Sequence, residues 1–176
     1  IPIDYLSLEL LKLKEMGFVY KIKKSYLGEN GFTNLVDLET FPSNMVALKE
    51  KIHPLPYPGI NIDNLPFFAV IATQAEGETL IHDWVFEKRA IYYTELEKLG
   101  ATVVLADPHR VFIRGKSKLQ ANEIVTPPAL RPAAIILIAM LGAEGTSILR
   151  NVYSINRGYE DLSNRLRNLG AKINTF

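Results

Sequence analysis

The chain has 176 residues, of which 48% are hydrophobic and 22% charged, and it carries a net charge of +1. That suffices for one domain with a real core, and it argues against nucleic-acid binding through a broad basic face. There is no cysteine, which excludes disulfides and thiolate chemistry, and the three histidines, His53, His82 and His109, lack the spacing of a zinc site.

The chain opens on Ile1-Pro2-Ile3 and enters a helix at once, as expected of a segment of a longer polypeptide. That helix is predicted over about Tyr5–Met16, capped by Asp4, with Leu6, Leu10 and Leu13 on one face and Gly17 at its end. Strands follow at Phe18–Lys24, Phe32–Leu38 and Met45–Leu48. The proline-stiffened stretch His53–Gly59 is an extended connection.

A second helix is predicted over Leu65–Ala75, with Asn64 as cap and Pro66 in its first turn. Strand Leu80–Phe86, helix Ile91–Leu99 and strands Ala101–Ala106 and His109–Arg114 come next. The cycle then restarts with a strand near Ile124, helix Pro132–Leu141, strand Ser147–Tyr153, helix Tyr159–Leu169 and strand Lys172–Phe176. The longest apolar run, Ala133–Leu141, is too short to span a bilayer, so no membrane partner is expected.

Two phrases recur. An apolar helix end meets a glycine and then a strand at Leu13–Gly17, Leu96–Gly100 and Leu166–Gly170. Ala-Glu-Gly occurs at 75–77 and again at 143–145, each time before an apolar pair. Copies of one supersecondary unit, in the order βαβαββ, must bury their apolar faces on one another. The helices beginning near Phe67 and Ala133 are apolar nearly all round and belong inside, whereas the helices ending at Leu99 and Leu169 are amphipathic. The expected fold is α+β: stacked βαβαββ repeats with buried helices and outer mixed sheets, the reverse of a doubly wound arrangement.

Three arginines fall at similar junctions. Arg89 and Arg157 each precede an amphipathic helix, and Arg131 opens the buried helix at Pro132. A cation at a helix N-terminus is mildly unfavourable unless an anion is present. Each is therefore either locally paired or part of an anion clamp in which helix amides and guanidinium forks act together. Asp63 either caps the following helix or serves as a general base held against a hydroxyl. Glu87 reads as a partner for Arg89. Trp84 and Tyr92, Tyr93, Tyr153 and Tyr159 pack in the core or rim, or stack on a base or sugar. Arg114, Lys116 and Lys118 form a solvated basic edge.

Several strings carry a resemblance: Tyr57–Asp63, Ala75–Thr79, Val85–Arg89, Ala143–Ser147 and Asn151–Glu160. Together they resemble the enolpyruvyl transferase family, strongly from about Pro58 onward. The likeness is greatest to members acting on UDP-N-acetylglucosamine. The resemblance implies a cytoplasmic, two-domain enzyme of peptidoglycan synthesis, with three βαβαββ units per domain. It would move the enolpyruvyl group of phosphoenolpyruvate to the sugar 3′-hydroxyl and release phosphate, without cofactor or metal. It implies Asp63 as the base that contacts the sugar hydroxyl and Val85 as lining the UDP-sugar pocket. Arg89, Arg131 and Arg157 would gather phosphate and carboxylate charge.

Residues 1–176 would then be one domain supplying one wall of the cleft, inactive without the companion domain. Two positions depart from the family pattern: Ala129 and Asn156 stand where aspartate is usual. They leave open a sister enzyme acting on shikimate 3-phosphate, or a non-catalytic paralogue that keeps the fold.

Overall fold

The computed structural model describes residues 1–176. A 3-10 turn, Ile3–Tyr5, leads into α1 (Ser7–Glu15), followed by the hairpin β1 (Tyr20–Leu27) and β2 (Asn34–Thr40). Next come α2 (Leu65–Gln74), β3 (Gly77–His82), a 3-10 helix at Arg89–Leu99, β4 (Thr102–Asp107) and β5 (Arg110–Gly115). The last group is β6 (Glu123–Val125), α3 (Leu130–Gly142), β7 (Ile148–Arg150), α4 (Tyr153–Gly158) and α5 (Leu162–Asn168). No helix is long and apolar enough to cross a membrane.

The repeats are visible in the backbone. Gly17, Gly100 and Gly170, which end the three recurring phrases, all have positive φ, as do Gly77 and Gly145 of the shorter phrase. The carbonyl just before each of the first two helix-ending glycines receives the next unit's strand. Val46 N–H donates to Met16 C=O at 2.8 Å, and Gln120 N–H donates to Leu99 C=O at 2.8 Å. Ala47 and Ala121 likewise donate to the carbonyls of Glu76 and Glu144 at 2.8 and 2.9 Å.

Each apolar helix is a crossover between parallel segments. Val46 and Ile52 bridge to Glu76 and Ile81 around α2, and β6 pairs in parallel with β7 around α3. The sheet β3-β5-β4 is antiparallel and turns Ile81, Val103, Val111 and Ile113 inward. α2 and α3 pack on each other, with β3 and β5 against α2 and the 3-10 helix against α3 and β4. Leu65, Phe68, Ala69, Ile135, Ile136 and Ala139 form the helical part of the core. The outer sides of α2 and α3, at Phe67, Val70, Leu137 and Ile138, are only half-buried, so neither helix is enclosed all round.

Several boundaries differ from expectation for identifiable reasons. Asp4 does not cap α1; it lies in the 3-10 turn, where its carboxylate accepts the Asn34 amide at 2.7 Å, and the cap position is Leu6. Asn64 occupies the cap position of α2 without a side-chain capping bond. Met45–Leu48 contributes a single bridge rather than a strand. The strand expected to reach Phe86 stops at His82, because Asp83 turns into the core and gives its N–H to His109 C=O at 2.7 Å.

The helix before Gly100 is 3-10 because its apolar residues recur every third position. Ala90, Tyr93, Leu96 and Leu99 are all fully buried, and a three-residue turn stacks them on one side. The helix expected over Tyr159–Leu169 forms only as α5 (Leu162–Asn168), after Asp161 at φ 46°, and the unexpected helix α4 (Tyr153–Gly158) precedes it. Lys172–Phe176 forms no strand, since β6 and β7 pair only with each other and leave it no ladder.

Candidate functional site

The loop before α2 delivers Asp63. Its backbone N–H donates to the side-chain oxygen of Asn61 at 2.8 Å, a local turn that substitutes for helix capping. The carboxylate is thereby left free of the helix and reaches Arg131, whose Nη2 lies 3.0 Å from Oδ2. Arg131 stands in the first turn of α3, as the sequence suggests, and its guanidinium also lies 5.4 Å from the ring centre of Tyr159. The carboxylate of one repeat thus offsets a cation at the helix N-terminus of the next. Ala129, the cap residue of α3, makes no side-chain capping bond.

Arg89 has a different environment. It is buried, and its Nε and Nη2 donate to the two oxygens of Asp83 at 2.5 and 2.8 Å. Nη2 also donates to the carbonyl of Ile62, the neighbour of Asp63, at 2.8 Å. The Phe86 ring lies 4.5 Å from the guanidinium. The partner is thus Asp83 and not Glu87, which is exposed. Tyr93 donates its hydroxyl to the same carboxylate. Burial, followed by the charge and hydrogen bond of Asp83, pushes the Tyr93 hydroxyl far above the usual phenol range, against the opposing pull of Arg89.

Arg157 lies in the last turn of α4, at the end of the helix that favours a cation, and not before the following helix as the sequence suggests. It is exposed, with its guanidinium 6.0 Å from the Tyr153 ring centre. The adjacent Gly158 packs on Leu130, the neighbour of Arg131, so closely that a Cβ would stand 2.3 Å from Leu130 Cδ2. This contact holds the end of α4 against the start of α3. Ser154 reinforces it by donating to Pro128 C=O at 3.0 Å.

Val85 is exposed and lines a cavity of about 620 Å³ with Tyr5, Glu9, Tyr57, Asn61 and Trp84. Trp84 Nε1 donates to Pro54 C=O at 3.1 Å, tying this wall to the proline-rich connection.

Asp63 and Arg131 therefore meet directly. Arg89 reaches the same loop through its backbone, Arg157 reaches the same corner through Gly158, and Val85 sits across the Asn61–Ile62 segment. Sequence reasoning missed Asp83 and Glu9. Asp83 lies two residues beyond the buried Ile81, so strand alternation points it inward, where a carboxylate needs a cation. Glu9 lies three residues after Leu6 and four before Leu13, on the inward stripe of α1.

Residues 4–166 match the family model of EPSP synthase (3-phosphoshikimate 1-carboxyvinyltransferase). UDP-N-acetylglucosamine 1-carboxyvinyltransferase of Borrelia garinii subsp. bavariensis is 46% identical over 123 residues, covering 70% of this chain and 29% of the relative. The enzyme of the same name from Porphyromonas gingivalis is 41% identical over 140 residues, 78% of this chain and 31% of the relative. The chain spans about a third of the length of these curated relatives. Among solved structures, the enolpyruvyl transferase NikO from Streptomyces tendae superposes with a TM-score of 0.71 at 28% identity, over 96% of this chain and 36% of that one. EPSP synthase from Acinetobacter baumannii gives a TM-score of 0.72 at 18% identity, over 94% and 39%, a likeness of fold alone. With a family match running through nearly every element, and with a fold shared by solved enolpyruvyl transferases, the chain belongs to the enolpyruvyl transferase (EPSP synthase) family.

Proposed function

We propose that this chain is one domain of a two-domain cytoplasmic enzyme of peptidoglycan synthesis. The enzyme transfers the enolpyruvyl group of phosphoenolpyruvate to the 3′-hydroxyl of UDP-N-acetylglucosamine. The observation that carries this reading is the 3.0 Å pairing of Asp63 with Arg131 across two repeats, which sets a proton acceptor beside a cation. The curated relatives, named for UDP-N-acetylglucosamine, support the choice of acceptor.

In this reading the Asp63 carboxylate takes the proton of the acceptor hydroxyl. The hydroxyl oxygen bonds to the enolpyruvyl carbon, and inorganic phosphate leaves. Arg131 and Arg157 meet the phosphate and carboxylate of phosphoenolpyruvate as the domains close. Arg89 belongs to the same charge set, and it anchors the Asp63 loop through Ile62 while paired with Asp83. Val85 and its cavity receive part of the nucleotide sugar. The companion domain supplies the opposite wall, so residues 1–176 alone turn nothing over.

The test is phosphate release by the full-length protein. Release that requires both phosphoenolpyruvate and UDP-N-acetylglucosamine is expected, and no release with both present refutes the reading. Shikimate 3-phosphate is the competing acceptor, favoured by the name of the matching family model. Release driven by shikimate 3-phosphate and not by the sugar nucleotide would select it. Ala129 and Asn156 leave open a non-catalytic paralogue, which would bind ligand without releasing phosphate.

A further inference from the structure

Glu9, on α1, lies outside the charge set described above, yet it is buried. A buried carboxylate is costly unless hydrogen bonds replace its lost water. No lysine, arginine or histidine forms an ion pair with it; instead, a single oxygen, Oε1, accepts two bonds. One comes from the backbone N–H of Asn61 at 3.2 Å and the other from the side-chain amide of Asn64 at 2.9 Å. These residues bracket Asp63 in the chain, two before it and one after. Asn61 is in turn the residue whose side chain accepts the N–H of Asp63. The intervening Ile62 is held from another direction by Arg89. A carboxylate from the first repeat and a guanidinium from the second thus grip the short segment that aims Asp63 at the third.

We propose that Glu9 is a positioning residue for Asp63, fixing the Asn61–Asn64 segment so that the Asp63 carboxylate stays aimed at the acceptor hydroxyl. The proposal rests on the reading of Asp63 as the proton acceptor. Its physical basis is geometric. A loop has more backbone freedom than a helix, and a misplacement of about 1 Å in a reacting group can cost on the order of 10²-fold in rate. The two bonds converge on one oxygen, so the acceptor matters and the charge does not.

The experiment compares Glu9→Gln, Glu9→Leu and Asp63→Asn in the full-length enzyme, with phosphoenolpyruvate and UDP-N-acetylglucosamine as substrates. Turnover and KM are measured separately, and folding is checked by circular dichroism. Glu9→Gln keeps the acceptor oxygen and is expected to retain turnover within about twofold. Glu9→Leu is expected to lose about 10-fold or more in kcat with little change in KM for phosphoenolpyruvate, the pattern of a misaimed reacting group and not of lost binding. Equal losses in the Gln and Leu variants overturn the proposal. So does full activity of Glu9→Leu alongside an inactive Asp63→Asn, which leaves the role of Asp63 intact. Full activity of Asp63→Asn removes both readings.

Should Glu9→Leu fail to fold, Asn64→Ala removes one of the two donors at the surface end of the same grip. A folded Asn64→Ala enzyme is expected to lose several-fold in kcat, and undiminished kcat overturns the proposal.

Discussion

Asp63 and Arg131 are joined by a 3.0 Å ion pair that spans two repeats, one partner in the loop before α2 and the other in the first turn of α3. Both side chains are partly solvated, with 46% and 25% exposed, so the pair contributes at most about 1 kcal/mol to folding. Under the proposed function the two side chains serve ligands. Replacing Arg131 by Ala should barely move the melting temperature of the domain. In the full-length enzyme it should weaken phosphoenolpyruvate by roughly 1.5–3 kcal/mol, the range for a charged hydrogen bond, and the nucleotide sugar much less. Calorimetry with each ligand separates the two, and equal losses would remove Arg131 from the phosphoenolpyruvate site.

Asp63→Asn preserves shape and the bond to Asn61 while removing the proposed proton acceptor. Turnover in the full-length enzyme should fall by on the order of 10²-fold or more, with binding of the UDP-sugar nearly unchanged. Steady-state phosphate release and equilibrium titration report the two quantities, and near-normal turnover excludes the base role.

Arg89 makes the opposite prediction. It is enclosed with Asp83, and removing one partner leaves a buried, uncompensated charge. Arg89→Met should therefore destabilise the domain by about 3–5 kcal/mol, read as a lowered midpoint in urea unfolding. A variant as stable as the parent would mean that Asp83 finds water or another donor.

The hydroxyl of Tyr93 holds its proton far more tightly in the folded chain than in the unfolded one. The unfolded state loses that proton near pH 10 while the folded state keeps it. Stability from this group is thus complete below about pH 10 and declines above it, by at most about 1.4 kcal/mol per pH unit. Urea unfolding at pH 9 and pH 11 should show a larger loss for the parent chain than for Tyr93→Phe, which lacks the titrating group. Parallel losses would show that Tyr93 does not drive the alkaline transition.

α3 begins without a side-chain cap, at an Ala129 whose backbone is already extended, with ψ at 134°. Ala129→Asp can accept the Arg131 backbone N–H, Pro132 offering none, and should raise stability by about 0.5–1 kcal/mol in thermal unfolding. It also places a second carboxylate two residues from Arg131. If the two acids compete for that guanidinium, the gain should be larger when Asp63→Asn is made in the same chain. An unchanged melting temperature in both backgrounds would show that the new side chain does not reach the Arg131 amide.

The architecture was legible because the repeats are written in residues that have no substitute. A glycine at positive φ ends each of the three recurring phrases, and the two apolar helices announce themselves by their composition. The site was legible in part. Asp63, Arg131 and Val85 sit on segments whose boundaries the sequence marks with prolines and helix starts. Arg157 was harder, because Tyr159, Leu162, Leu166 and Leu169 keep a helical rhythm although α5 begins only at Leu162, after the left-handed Asp161, and α4 ends at Gly158. The partners Asp83 and Glu9 were missed for a common reason. Both are acids on otherwise apolar faces, and an acid is ordinarily assigned to solvent unless its neighbours' periodicity is followed through it.

The paired joints at Met16–Val46 and Leu99–Gln120 have an engineering consequence. The hairpin β1–β2 leaves and rejoins the body at one of them, and β4–β5 does so at the other, although the two excursions differ in length. The same carbonyl-to-amide clasp closes both, but β5 also pairs with β3 and buries Val111 and Ile113, whereas β1 and β2 pair only with each other, so β1–β2 is the exchangeable cassette. Inserting or trading chain at its tip changes the rim of the molecule without disturbing the segments that carry Asp63 and Arg131, whereas the β4–β5 turn is tied through His109 to Asp83 and so to Arg89.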